Sequence, residues 1–175
     1  MKSFFVEFAV LGMLVALPTS WAQQKYTIAD APQSKSQYVK EHIIDVGDRP
    51  GHQLRVYEIR IDYPANDLDF AGAKVKESYV RGMSDYTNWS GPFTTYIVYT
   101  LEDGSQIFSR TTGTSQTTMN PDGSRGAVKY SFVENFVGGT KRFKGIRGQQ
   151  NGSGARAAGA NSLSQQHATG EYWIE

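Results

Sequence analysis

Glu134 stands in the run Tyr130-Ser131-Phe132-Val133-Glu134-Asn135-Phe136-Val137. Strand alternation puts Tyr130, Phe132, Glu134 and Phe136 on one side of it. A carboxylate among aromatic rings loses solvation, so its pKa rises toward the range in which it exchanges protons. Glu134 is therefore the first candidate for a catalytic acid or base, with Tyr130, Phe132 and Phe136 as the walls of a ligand site. Glu77 is the second candidate, on a face with Val75, Tyr79 and Arg81, where Arg81 is an available ion-pair partner. Glu58 shares a side with Leu54, Val56 and Arg60 and reads as a surface pair. Periodicity leaves open which strand face is inside, and the alternative is that the Glu134 face meets a neighbouring subunit.

Other chemistry finds less support. The three histidines, His42, His52 and His167, show no HxH or HExxH spacing, so no metal site is expected. Zero cysteines exclude a disulfide framework, a thiolate zinc site and a cysteine nucleophile. No G-x-S-x-G elbow is present, and Gly104-Ser105 and Gly123-Ser124 are turn chemistry. Lys141, Arg142, Lys144 and Arg147 form a basic run, but no phosphate-binding glycine loop accompanies it. The formal net charge is +1, which gives no electrostatic reason to expect nucleic acid, so the run reads as a solvated rim. No cofactor is expected.

The elements that must hold these residues are strands. The pattern is period two, with candidates at Val39–Val46, Gln53–Tyr63, Gly72–Arg81, Phe93–Leu101, Ser105–Thr114, Arg125–Val137, Arg142–Gly148 and Gly170–Glu175. Asp103-Gly104 predicts a type I′ hairpin turn, Asn120-Pro121-Asp122-Gly123 a second turn, and Gly138-Gly139 a third. No stretch carries a sustained helical stripe, and Gln149–Thr169, rich in Gly, Ala and Ser, is expected to be a long loop. In Thr94–Leu101, Tyr96 and Val98 point one way and Ile97, Tyr99 and Leu101 the other, so both faces need cover. An all-β, eight-stranded antiparallel up-and-down barrel meets these demands, because closure removes exposed edges; a two-sheet sandwich is the alternative. The doubly apolar strand further predicts a homo-oligomer, a trimer or a dimer.

Residues 1–22 read as an export leader. Lys2 gives a positive start, Phe8–Leu17 an apolar run, Pro18 a break, and Ser20-Trp21-Ala22 a cleavage site after Ala22. The apolar run is ten residues, well short of the roughly 20 that span a bilayer, so no stable membrane insertion is expected after cleavage. A periplasmic or secreted location follows. The domain plan is a leader over 1–22, a polar lead-in over 23–36 and the barrel over 37–175.

The segment Phe136-Val137-Gly138-Gly139-Thr140-Lys141-Arg142-Phe143-Lys144-Gly145-Ile146-Arg147-Gly148 resembles the GGTGxFxxxxG element of the allene oxide cyclase-like and dirigent-like barrels. The closing Gly170-Glu171-Tyr172-Trp173 is similar to the last strand of that group, while Lys141 stands where the pattern has its third glycine. The resemblance implies a calycin-type barrel, often trimeric, with an apolar ligand in its lumen. It carries over no catalytic residue, because no position outside the glycine turn matches one. Three functional readings follow: a binder of a small apolar or phenolic molecule, an isomerase or cyclase of the allene oxide cyclase-like type, and a structural or interaction protein with a filled core. A radical-coupling role of the dirigent type enters by resemblance alone.

Overall fold

The computed structural model describes residues 25–28, 34–64, 68–158 and 164–175. The strands are β1 (Lys25–Ile28), β2 (Lys35–Asp45), β3 (His52–Asp62), β4 (Asp69–Phe70), β5 (Ala73–Thr87), β6 (Gly91–Leu101), β7 (Gln106–Met119), β8 (Arg125–Gly139), β9 (Ile146–Arg156) and β10 (Ser164–Ile174). One 3₁₀ turn, Lys141–Phe143, completes the described elements. The antiparallel order β1-β10-β9-β8-β7-β6-β5-β3-β2, with β4 on β5, is an all-β up-and-down meander. Among the described residues it has ten strands, where eight were expected, and no ladder closes it into a barrel. Among the described residues its edges meet at one bridge, Ser34 to Ser164, with backbone bonds of 3.2 and 2.9 Å. The expected leader, residues 1–22, lies outside the described residues.

The two added strands have physical reasons. The short β4 precedes a tight turn at Ala71 and Gly72, both at positive φ (48° and 78°), too brief to show as alternation. β1 lies inside the expected lead-in and pairs with β10 from Lys25 opposite Trp173 to Ile28 opposite Gly170.

The expected loop Gln149–Thr169 is overturned as well: most of β9 and the first half of β10 come from it. The cause sits on β8. Phe132 lies opposite Gly152 and Tyr130 opposite Gly154. A Cβ built on Gly152 would come within 2.3 Å of the Phe132 ring, and one on Gly154 within 2.2 Å of the Tyr130 ring. β9 presents glycine inward because its neighbour's rings already fill that space, and a strand of this kind shows no apolar alternation.

Several turns also differ from expectation. At Asp103-Gly104 only Gly104 takes positive φ (71°), so the link is a three-residue loop, closed by Leu101 N–H donating to the Ser105 carbonyl at 2.9 Å. Two consecutive positive-φ residues, as a type I′ turn requires, occur at Asn88 and Trp89 (50° and 62°). Gly138 and Gly139 remain in β8, and the chain reverses after them, with Lys141 at φ 52° where the resembled motif has glycine. Lys141 Nζ donates to the Asp103 carbonyl at 2.8 Å, which holds this uncommon backbone geometry.

One end of the rolled sheet is plugged. Phe70 from β4 packs on Tyr99, Phe136, Phe143 and Tyr172, with ring centroids 5.5, 5.6, 6.5 and 5.4 Å away. Leu101, Ile107 and Ile146 complete this core. Full burial of each such side chain stabilises by about 1.5–3 kcal/mol. Among the described residues no helix is long and apolar enough to cross a membrane.

The ring-over-glycine packing generates a test. Gly152→Ala forces a methyl into the Phe132 ring and should cost about 1–3 kcal/mol, read from urea unfolding. An unchanged midpoint would mean that the ring swings aside freely and that the pairing constrains nothing.

Candidate functional site

The inward face of the sheet lines two connected cavities. The inner one, about 230 Å³, rests on the plug and has Tyr63, Ile97, Tyr99, Phe132 and Glu134 in its wall. The outer one, about 840 Å³, lies at the opposite end, beside the Trp89 turn and the start of β8. Tyr38, Tyr57, Tyr86 and Val128 border both, so the two form one deep lumen. The outer cavity by itself falls in the range of small-molecule sites, roughly 300–1,000 Å³.

Glu134 lies on the floor of this lumen, 1% exposed. β8 runs from the open end at Arg125 toward the plug at Gly139, and Phe136, two residues on, already belongs to the plug core. The Gly138-Gly139 end is thus the filled end, not a mouth. Register brings Thr111 of β7 and Gln150 of β9 beside Glu134. The Tyr99 hydroxyl donates to Glu134 Oε1 at 2.8 Å, the Ser109 hydroxyl donates to the same oxygen, and Gln150 Nε2 donates to Oε2 at 2.6 Å. A β-bulge between Phe108 and Ser109 interrupts the β7–β8 register one step from these groups.

The electrostatics of this floor are unusual. All three donors are neutral, and no ion pair to Glu134 occurs among the described residues. Burial pushes the Glu134 carboxyl above its ordinary value of 4.5, against the three hydrogen bonds that lower it. Tyr99 is driven well above 10 by burial first and by the Glu134 charge second. Buried Thr111 Oγ1 and Gln150 Oε1 carry no hydrogen-bond partner among the described residues. A half-turn of the Gln150 amide would let its Oε1 accept from a protonated Glu134, so the floor can accommodate both charge states.

The other sequence candidates are distributed differently. Phe132 is buried beside Glu134, and Tyr130 stacks near it at 6.3 Å with its hydroxyl donating to Gln166 Oε1 at 3.3 Å. Phe136 packs into the plug instead of walling the inner cavity. Glu77 faces outward and pairs with Arg60 at 3.0 Å, while Arg81 pairs with Glu58 at 2.7 Å. A bulge between Val75 and Glu77 causes this, because it reverses the alternation: Val75 is inward, then Ser78 and Val80. Tyr99, Ser109, Thr111 and Gln150 were not singled out from sequence. Tyr99 and Ser109 reach Glu134 from separate strands, and Gln150 sits in the segment that reads as loop.

The histidines and the basic run have structural settings. His42 is exposed, and His52 is held between Asp48 and Asp85 Oδ1 (2.7 Å) beside the β2–β3 turn, which raises its pKa. Among the described residues no cluster of three or more His, Cys, Asp or Glu could hold a metal ion. Arg142 pairs with Asp103 at 3.2 Å and Arg147 donates to the Val137 carbonyl at 2.9 Å, so part of the run fastens the plugged end.

No protein-family model matches the chain, and no curated protein matches it. Among solved structures, that of AbnU, an exo-specific intermolecular Diels-Alderase, is similar at 9% identity and a TM-score of 0.39. The match covers 85% of this chain and 98% of that one. A likeness of that degree decides neither fold nor activity.

Linkage fixes the sign of a pH effect at Glu134. A carboxyl whose folded pKa is raised contributes stability that is present below the unfolded value and lost as pH rises through the folded one. Glu134→Gln removes that titration, and Gln150 can turn to accept from the new amide. The melting temperature of the variant relative to the parent should therefore climb with pH above about 4.5 and then level off. A difference that stays flat from acid to neutral pH would contradict the desolvated carboxylate.

Proposed function

We propose that this protein binds a small, largely apolar or phenolic molecule in its lumen, and that Glu134 exchanges a proton with it. The observation that carries the reading is the carboxylate itself. It is buried on three neutral donors at the bottom of an aromatic cavity, and among the described residues no cation pairs with it. Stability alone gives no reason to keep such a group, since burying a charge without an ionic partner is costly. A carboxyl of raised pKa can donate to a ligand oxygen or withdraw a proton from an adjacent carbon. The unpartnered Thr111 and Gln150 atoms supply polar positions for a ligand group next to it.

On this reading the chemistry is an isomerisation or cyclisation, in keeping with the resemblance to the allene oxide cyclase-like and dirigent-like barrels. A dry lumen holds a flexible substrate in one conformation, and few catalytic groups are needed. Closure of the sheet into a barrel is part of the proposal. Its support is that Ser34 meets Ser164 in the same register in which β1 pairs with β10, so one chain segment borders both edges. Export of the protein after removal of residues 1–22, and work in the periplasm or outside the cell, belong to the same proposal. The alternative, a structural or interaction protein without a ligand, lacks a reason for the buried carboxylate.

The outer surface supports self-association. Val56 lies opposite Met83, and Arg81 opposite Tyr96, which leaves Met83 61% and Tyr96 58% exposed on adjoining strands. Two measurements test these readings. Glu134→Gln keeps shape and hydrogen bonding, so an enzyme should lose roughly 10²–10⁴-fold in turnover with its fold intact, whereas a pure binder keeps most of its affinity. A variant with undiminished turnover would remove Glu134 from the chemistry. Sedimentation at micromolar concentration should show a dimer or trimer that Met83→Glu dissociates, and a monomeric parent protein would refute the assembly.

A further inference from the structure

The outer cavity has a chemistry of its own that the Glu134 reading leaves unused. Lys35, Arg55, Arg125 and Arg156 line it, and among the described residues no acidic side chain does, although Glu41, outside the lining, is ion-paired with Arg55. Arg125 and Arg156 form no ion pair among the described residues. Arg55 is 3% exposed on the inward face of β3. Its terminal nitrogen Nη2 donates to Glu41 and lies 3.4 Å from the Tyr38 hydroxyl. Its Nε–H is buried with no partner at all among the described residues. A buried guanidinium N–H without an acceptor costs stability comparable to a lost charged hydrogen bond, and a ligand acceptor would recover it.

The surroundings hold these cations in place. Arg55 sits over the rings of Tyr38, Tyr57, Tyr86 and Trp89, at 5.7, 5.7, 5.5 and 4.6 Å from their centroids. Arg125 stacks on Trp89 at 3.9 Å. One indole thus orients two guanidinium groups, and it does so from a strained position, since Trp89 adopts φ 62° in the β5–β6 turn. A bulky residue in the left-handed region persists only where the surroundings enforce it. Planar guanidinium groups so fixed suit the paired oxygens of a carboxylate.

We infer that the outer cavity is an anion subsite, in which Arg55, Arg125 and Arg156 take the carboxylate of an amphipathic ligand whose apolar part extends into the aromatic inner cavity. The inference rests on the lumen being a ligand site, and it adds polarity and direction: acidic group at the mouth, reacting end on the floor at Glu134. The cations stand at one end of the lumen, and an anion at the other end would be buried beside Glu134 with no cationic partner among the described residues, which rejects the reversed orientation.

Calorimetric titration with decanoate and with decanol, at low and high salt, tests it. Decanoate should bind more tightly than decanol, and added salt should weaken only decanoate. Arg125→Gln combined with Arg156→Gln should lower decanoate affinity by roughly 10- to 100-fold and leave decanol unaffected. Arg55→Gln should act in the same direction, and if that variant does not fold, the double variant decides. Lys129→Gln, on the exposed outer side of β8, serves as the charge control. Equal binding of the two probes, unaltered by the arginine substitutions, would overturn the anion subsite and leave the lumen reading standing. Failure of both probes to bind would overturn both.

Discussion

The inward face of this sheet carries more aromatic ring than a flat sheet could accommodate, and glycines on adjacent strands supply the space. Tyr57 lies opposite Gly82, Phe93 opposite Gly113, Tyr130 opposite Gly154 and Phe132 opposite Gly152. In each pair a Cβ on the glycine would come within 3.0 Å of the partner's ring. The rings therefore lie down along the sheet instead of standing across the lumen. This single arrangement lets an aromatic interior remain hollow, where upright rings would fill it. It also constrains the chain on both strands of each pair, since neither a larger residue at the glycine nor an upright ring can be accommodated alone.

A hollow interior has two ends, and packing treats them oppositely. At one end Phe70, delivered by the short β4 and its positive-φ turn, gathers Tyr99, Phe136, Phe143 and Tyr172 into a solid plug. At the other end the cavity is lined by Tyr38, Arg55, Trp89, Arg125 and Arg156. The lumen is consequently a blind pocket with a carboxylate at its base and guanidinium groups at its rim. Between them lies a wall of tyrosine, phenylalanine and aliphatic side chains. Charge separated along a low-dielectric cavity acts strongly on a bound molecule, and it acts on orientation as much as on affinity.

Much of this was legible in the residues. Parity along Tyr130–Val137 places Glu134 with Tyr130, Phe132 and Phe136, and all four side chains turn inward together. Parity failed at Glu77 because a single bulged residue reverses the alternation of β5, and nothing in Val75-Lys76-Glu77 marks a bulge. The glycine-rich stretch after Gln149 failed for a related reason. Its inward positions are small because rings from β8 occupy them, so the evidence that it is a strand resides on another strand.

Sequence by itself determined the class of structure and grouped Glu134 with Tyr130, Phe132 and Phe136 on one strand face. Period-two alternation and turn residues depend on neighbours a few positions away, and such local rules survive without knowledge of the fold. Tertiary structure alone decided that this face is inward and which groups meet Glu134. Tyr99, Ser109 and Gln150 converge on Glu134 from β6, β7 and β9, and Arg55, Arg125 and Arg156 line the mouth from β3, β8 and β9. The register between strands sets those meetings, and register follows from bulges, ring-over-glycine pairs and the plug, which are properties of several segments packed at once.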